Sequence, residues 1–142
     1  MSKTTIDLKR QNQGFHLKAT NEHGAELHLD AAPKIGGEDK GFRPMEMLLA
    51  AIAGCASIDL GLFLKKQRQE LRDLDIRVEG TRAPGTEPPR VWTGIHMHFT
   101  LHGDLKVNRV ERALELAVMK YCSVAEMLKR DAEITYSYEI VE

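Results

Sequence analysis

Two cysteines, one tryptophan and five prolines are spread over 142 residues, and this scarcity removes several classes of protein. Cys55 and Cys122 lie 67 residues apart with no Cys-x-x-Cys pair, so the sequence indicates neither a disulfide scaffold nor a thiolate-built zinc site. Charge of one sign is also lacking: 20 Lys and Arg offset 21 Asp and Glu, and the two signs are interspersed. Such a surface offers no basic face to nucleic acid or to anionic lipid, and neither is expected as a partner. The uncharged run at residues 47–58 is 12 residues long, below the roughly 18 to 20 of a membrane span. The first residues, MSKTTIDLKRQ, hold no apolar run of the kind a secretory signal needs, so the chain is expected in the cytosol with its thiols reduced.

What remains is material for a globular domain. With 42% hydrophobic and 29% charged residues the chain is neither disordered nor fibrous. Its 16.0 kDa mass predicts one domain, residues 1–142, that buries about two-thirds of its unfolded surface.

Period-two alternation at Ile6 and Leu8, at Phe15, Leu17 and Ala19, and at Leu27 and Leu29 predicts three strands. The breaks between them end in Gly14 and Gly24, which suits tight antiparallel turns. Residues 31–42 carry Pro33, Gly36, Gly37 and Gly41 and read as a long loop of the kind that borders a site. Pro44 then opens a helix, with Glu46 near its positive end, running to about Arg68. Its apolar residues go all the way round, more than one small subunit covers easily, and a homodimer is expected. Leu74, Ile76 and Val78 pair as a hairpin with Ile95, Met97, Phe99 and Leu101 across a Pro-rich turn at 83–90. Val107, Val110, Leu114, Ala117 and Tyr121 repeat at helical spacing, with Asn108 and Glu111 placed as a capping box. Ser123 and Glu126 form a second box opening a short helix over 124–129, and a strand through Ile134, Tyr136, Tyr138 and Ile140 ends the pattern. Strands cluster instead of alternating with helices, which predicts an α+β fold with largely antiparallel sheets.

The chemistry centres on the two thiols. Cys55 sits among Leu48, Ala51, Ile52, Ile58 and Asp59 at helical spacing, surroundings that by themselves favour a buried, inert thiol. Cys122 immediately precedes a helix start, where free N–H groups and the dipole favour a thiolate, and it reads equally as a buried hinge or as a reactive group. If the two met, one thiolate would attack a peroxide O–O bond and the resulting sulfenic acid would condense with the other thiol. An apolar pocket would favour organic hydroperoxides, but spacing alone does not show that the sulfurs meet.

The run Pro44-Met-Glu-Met-Leu-Leu-Ala-Ala-Ile-Ala-Gly-Cys55-Ala-Ser-Ile-Asp59, together with Lys120-Tyr-Cys122-Ser-Val124, resembles the OsmC/Ohr family of thiol-dependent hydroperoxide reductases. The resemblance covers nearly the whole chain. It implies an intertwined α+β homodimer with two active sites at the interface, Cys55 as the peroxidatic cysteine and Cys122 as the resolving one. It further implies an organic hydroperoxide substrate, an external dithiol reductant (a dihydrolipoyl group or small thiol), and no metal or bound organic cofactor. The family's thiolate-binding arginine is fixed by no motif here; Arg43, in the turn just before the helix, is the first candidate and Arg10 the second. Where the best-characterised peroxidase branches carry glutamate, ten residues before the first cysteine, this chain has Met45, which places it in a less characterised OsmC-like branch. Glu46 stands nine residues before Cys55, about 900° around an ideal helix and so on the opposite face, and reads as a catalytic helper or as a first-turn acid. Asp59 would raise the pKa of a neighbouring thiol and reads as structural.

His96, His98 and His102 share one strand face without a neighbouring acid in sequence and read as a polar sheet surface. Ser57 and Ser123 lack a nucleophile-elbow context, and GGEDKG lacks the end of a phosphate loop. The rival functions are a non-catalytic protein binding an apolar ligand or protein partner in the same cavity, and a thiol redox sensor.

Overall fold

Alternation in the first thirty residues produces a meander. In the computed structural model, which describes residues 2–142, β1 (Asp7–Arg10), β2 (Leu17–Thr20) and β3 (Glu26–Leu29) pair antiparallel in that order. The register Leu8↔Ala19↔Leu27 gathers the apolar side chains on one face, as period two requires. Asn21 makes the second turn, its Oδ1 accepting the N–H groups of His23 and Ala25 at 3.0 and 2.9 Å. The chain forms two compact units, one ending at Leu48 and the other spanning Leu49–Glu142.

The loop after β3 is ordered around one carboxylate. Asp30 is buried and accepts the N–H groups of Ala31, Glu38 and Lys40 at 2.7, 3.1 and 3.1 Å. Burial disfavours its charge, but these donors outweigh it and hold the carboxyl below its ordinary pKa. Gly37 closes against the same turn, where a Cβ would lie 1.7 Å from the carbonyl oxygen of Ala31.

In the second unit, β4 (Asp73–Arg82), β5 (Trp92–His102) and β6 (Glu133–Val141) form a sheet in the order β4-β5-β6. β4 and β5 are the expected hairpin. β6 corrects the largely antiparallel reading: it runs parallel to β5, Ile95↔Ile134 through Leu101↔Ile140, because the chain returns through a helical crossover. That crossover contains α2 (Val107–Leu114), a π-helical turn at Glu115–Lys120, and α3 (Ser123–Leu128).

Ile52, Ala56, Leu60 and Leu64 recur every four residues along α1 (Pro44–Lys66), and all four are fully buried. They join Met97, Phe99 and Leu101 of β5 and Val110, Leu114 and Val118 of the crossover in one core. The helix stops two residues earlier than its periodicity suggests. Arg68 adopts a left-handed φ of 59°, and Gln69 N–H returns to the Leu64 carbonyl at 2.8 Å, a Schellman closure. By length and composition α1 is apolar enough to cross a membrane, yet its buried row belongs to this core.

Both expected capping boxes of the crossover are displaced. α2 is preceded by Lys106, which makes no side-chain cap, so Asn108 and Glu111 do not form a box. At α3 the cap is Cys122 rather than Ser123, one residue earlier than expected.

Substituting Gly37→Ala is expected to destabilise the protein by about 1–3 kcal/mol, because the new methyl meets backbone rather than a movable side chain. Chemical denaturation checks this; a midpoint equal to that of the parent chain would contradict it.

Candidate active site

Cys55 lies on α1 beside the buried row, partly exposed, and Cys122 is buried with 3% of its surface accessible. The fold brings the two thiols close enough to influence one another in the core of the second unit, Cys55 packing against the cluster that holds Cys122, and no disulfide joins them. Sequence separation hides this meeting, because it depends on how the crossover lies on α1.

The π-helical turn delivers Cys122. Tyr121 N–H reaches back five residues to the Leu116 carbonyl at 2.9 Å, adding a residue to the turn and rotating the chain beyond it. Phe63 of α1 meets the Tyr121 ring at 5.6 Å, and Lys120 lies 5.3 Å above that ring. This brace fixes the residue before Cys122 against α1, two helical turns beyond Cys55. Sequence reading found Tyr121 only as a helical apolar position, and nothing in its spacing pointed to Phe63.

Cys122 leaves the turn with extended backbone (φ −72°, ψ 108°) and caps α3, its Sγ accepting the Ala125 N–H at 3.3 Å. The same sulfur lies 3.9 Å from the Ile52 carbonyl, to which its S–H donates. Burial pushes the Cys122 thiol up to about 11; the Ala125 N–H works in the opposite direction, and the neighbouring Cys55 adds to the rise. The expectation that a helix start favours the thiolate therefore holds for its direction and loses on magnitude. A short helix supplies too little to overcome desolvation.

Arg43 and Glu46 lie where α1 begins. Arg43 N–H donates to Glu46 Oε1 at 2.9 Å, the reciprocal half of a capping box, while the Arg43 guanidinium pairs with Asp39 and reaches the Gly41 carbonyl at 3.4 Å. Arg10 donates from Nε to the Gly14 carbonyl at 3.0 Å and from Nη2 to that of Gln13. Asp59, one turn beyond Cys55, is partly buried. Ser57 donates to the Gly54 carbonyl at 2.8 Å within its own helix.

The strand histidines acquire partners that sequence proximity did not show. On β6, Thr135 and Ser137 flank His96 at 2.7 and 2.9 Å, Ser137 also meets His98 Nδ1 at 2.7 Å, and Glu139 lies 3.3 Å from His98 Nε2. An ionised carboxylate only accepts, so His98 donates to Glu139 from Nε2. His102 faces Asp75 at 3.1 Å. Among the described residues, no group of three or more His, Cys, Asp and Glu is placed to hold a metal ion.

A thiol whose pKa rises on folding contributes stability below its unfolded value of 9.0, and that stability is lost as pH climbs toward about 11. The melting temperature is expected to fall across this window. Cys122→Ser, which retains a capping oxygen and does not ionise, should flatten the fall; an unchanged slope would show that Cys122 contributes nothing to it.

The sequence model of the family described as "OsmC-like protein" matches residues 37–137, which include both cysteines. The chain is 45% identical to protein YhfA of Escherichia coli K12 over 130 residues, 91% of this chain and 92% of that one. It superposes on a hypothetical protein from Aquifex aeolicus with a TM-score of 0.83 at 29% identity, covering 99% and 97% of the two chains. An organic hydroperoxide resistance protein OsmC from Legionella pneumophila shares the fold, with a TM-score of 0.70 at 18% identity over 98% of each chain. On the length of the family match and the closeness to YhfA, the chain belongs to the OsmC-like protein family.

Proposed function

We propose that this protein is a cysteine-based peroxidase that reduces organic hydroperoxides in the cytosol as part of oxidative stress defence. The placing of Cys55 and Cys122 as neighbours in one core carries this reading. Their environments fit the proposed roles. Cys122 is buried and its thiol is held at about 11, so it is almost wholly protonated at neutral pH; Cys55 is the partly exposed sulfur that a peroxide reaches. The Cys55 thiolate attacks one peroxide oxygen, the O–O bond breaks, and the alkoxide leaves as alcohol after taking a proton. Cys55 is then a sulfenic acid. Cys122 attacks that sulfur, the S–S bond forms, and the hydroxyl departs as water with the Cys122 proton. An external dithiol, lipoyl-type or small, returns two electrons and restores both thiols. Arg43 and Glu46, joined at the start of α1, are the further helper candidates that the family resemblance suggests.

Steady-state consumption of cumene hydroperoxide with dihydrolipoamide tests the reading. Cys55→Ser is expected to lower the rate by at least about 100-fold, as for any nucleophile whose chemistry is lost. Cys122→Ser should leave a single-turnover Cys55 sulfenic acid, visible as a 16 Da gain by mass spectrometry, without the disulfide. An intact fold with Cys55 unmodified under excess peroxide would sink the enzyme reading in favour of a binding protein. Disulfide formation without turnover would favour a sensor.

The second copy belongs to the same proposal. Ile58 and Leu62, on the side of α1 away from its buried row, are 65% and 60% exposed in a segment of mean hydropathy 2.1. A homodimer, intertwined as the family resemblance implies, would cover them and complete the one-domain fold. Light scattering is expected to give twice the 16.0 kDa chain mass, and Ile58→Glu with Leu62→Glu to shift it toward one. A parent protein that runs as a monomer at micromolar concentration would contradict this.

A further inference from the structure

The Cys122 sulfur is asked to do two things that compete. In the reduced protein it is the cap of α3, accepting the Ala125 N–H at 3.3 Å, and it donates its proton toward the Ile52 carbonyl at 3.9 Å. α3 is only six residues long, Ser123–Leu128; Ala125 is buried, Val124 and Leu128 pack partly buried on the core, and the Cys122 sulfur is the side-chain cap of its first turn. Among the described residues no other side chain caps this N-terminus; Ser123, the residue best suited to the task, is already inside the helix.

We propose that joining Cys55 to Cys122 uncaps α3, so that residues 123–128 pass from ordered to loosened as the thiol pair is oxidised. The physical reason is geometric and electronic together. A disulfide draws its sulfurs to about 2.05 Å with a dihedral near 90°, which pulls Cys122 Sγ away from the Ala125 amide toward α1. The joined sulfur has no proton, so the contact with the Ile52 carbonyl is lost as well. The balance is that of the proposed reaction: two S–H bonds are lost, one S–S bond forms, and the oxidant takes two electrons and two protons. The brace between Phe63 and Tyr121 keeps the preceding residue in place, confining the change to the α3 side of Cys122. The consequence is a surface that differs between redox states. Met127, 78% exposed, and the Glu126–Lys129 pair at 2.7 Å sit on this segment, where a reductant can distinguish the form it must reduce from the form it must release.

The inference deepens the thiol-pair reading and rests on it only in that the two sulfurs must be joinable; it does not need peroxide as the oxidant. The test is amide hydrogen exchange by NMR on the full chain, reduced and after oxidation with diamide, with the 2 Da loss of the disulfide verified by mass. Ala125 is expected to exchange about five- to tenfold faster in the oxidised protein, the size of a lost N-cap, while Met97 and Phe99 of β5 remain unchanged. Diamide-treated Cys122→Ser and Cys55→Ser should keep Ala125 protected, since each retains a capping atom and neither can form the bond.

The proposal is overturned by a disulfide form in which Ala125 exchanges within about twofold of the reduced protein, less than a lost cap allows. It is equally overturned by failure of diamide to join the sulfurs, or by equal deprotection in Cys55→Ser. Loss of Ala125 protection in a protein that consumes no peroxide would sustain the switch and remove the peroxidase.

Discussion

The candidate site depends on one sulfur atom placed between two helices. Cys122 Sγ neighbours the Cys55 thiol and contacts the Ile52 carbonyl of α1 and the Ala125 amide of α3, and each partner is a different residue of the chain. The first makes chemistry available, the second ties the crossover to α1, and the third ends the irregular stretch between the π-helical turn and α3. For that sulfur to sit there, the row Ile52–Ala56–Leu60–Leu64 must lie on the β5 side chains Met97, Phe99 and Leu101. Core packing and thiol geometry are therefore one constraint.

Two opposing electrostatic effects act at that point, and their relative size gives the pair its asymmetry. A backbone N–H aimed at the sulfur stabilises the thiolate, while burial destabilises it by more, so Cys122 stays protonated well into the alkaline range. The proposed order of events, in which the accessible sulfur reacts first and the hidden one follows, is consistent with that difference in burial. A protein carboxylate provides the contrast. Asp30 is also buried, but three N–H donors converge on it and its charge is favoured. The number of donors decides which way burial is answered.

The outer faces carry a different kind of information. On the solvent side of β5 and β6, histidines, hydroxyls and Glu139 satisfy one another along parallel strands, a polar surface complete in itself. On α1 the situation is reversed, since Gly54, Ile58 and Leu62 leave an apolar stripe open to water. The first arrangement needs nothing further. The second is the kind of surface that another copy stabilises by removing it from solvent.

Local pattern was enough to determine the element order: alternation wrote the strands, uncharged helical spacing wrote α1, and a dozen Gly- and Pro-punctuated residues wrote the loop that Asp30 organises. Those features are set by neighbours along the chain, which is why Leu8 and Ile95 could be assigned to their faces from sequence, whereas the buried row of α1 could not. The parallel pairing of β6, the transfer of the α3 cap from Ser123 to Cys122, the acids beside His98 and His102, and the ranking of burial over helix dipole were all decided by tertiary contact. Each depends on atoms tens of residues apart, and a backbone that bends by one extra residue in a π-helical turn shifts everything after it. The sequence supplied two thiols; only the packing of the crossover against α1 determined that they are neighbours.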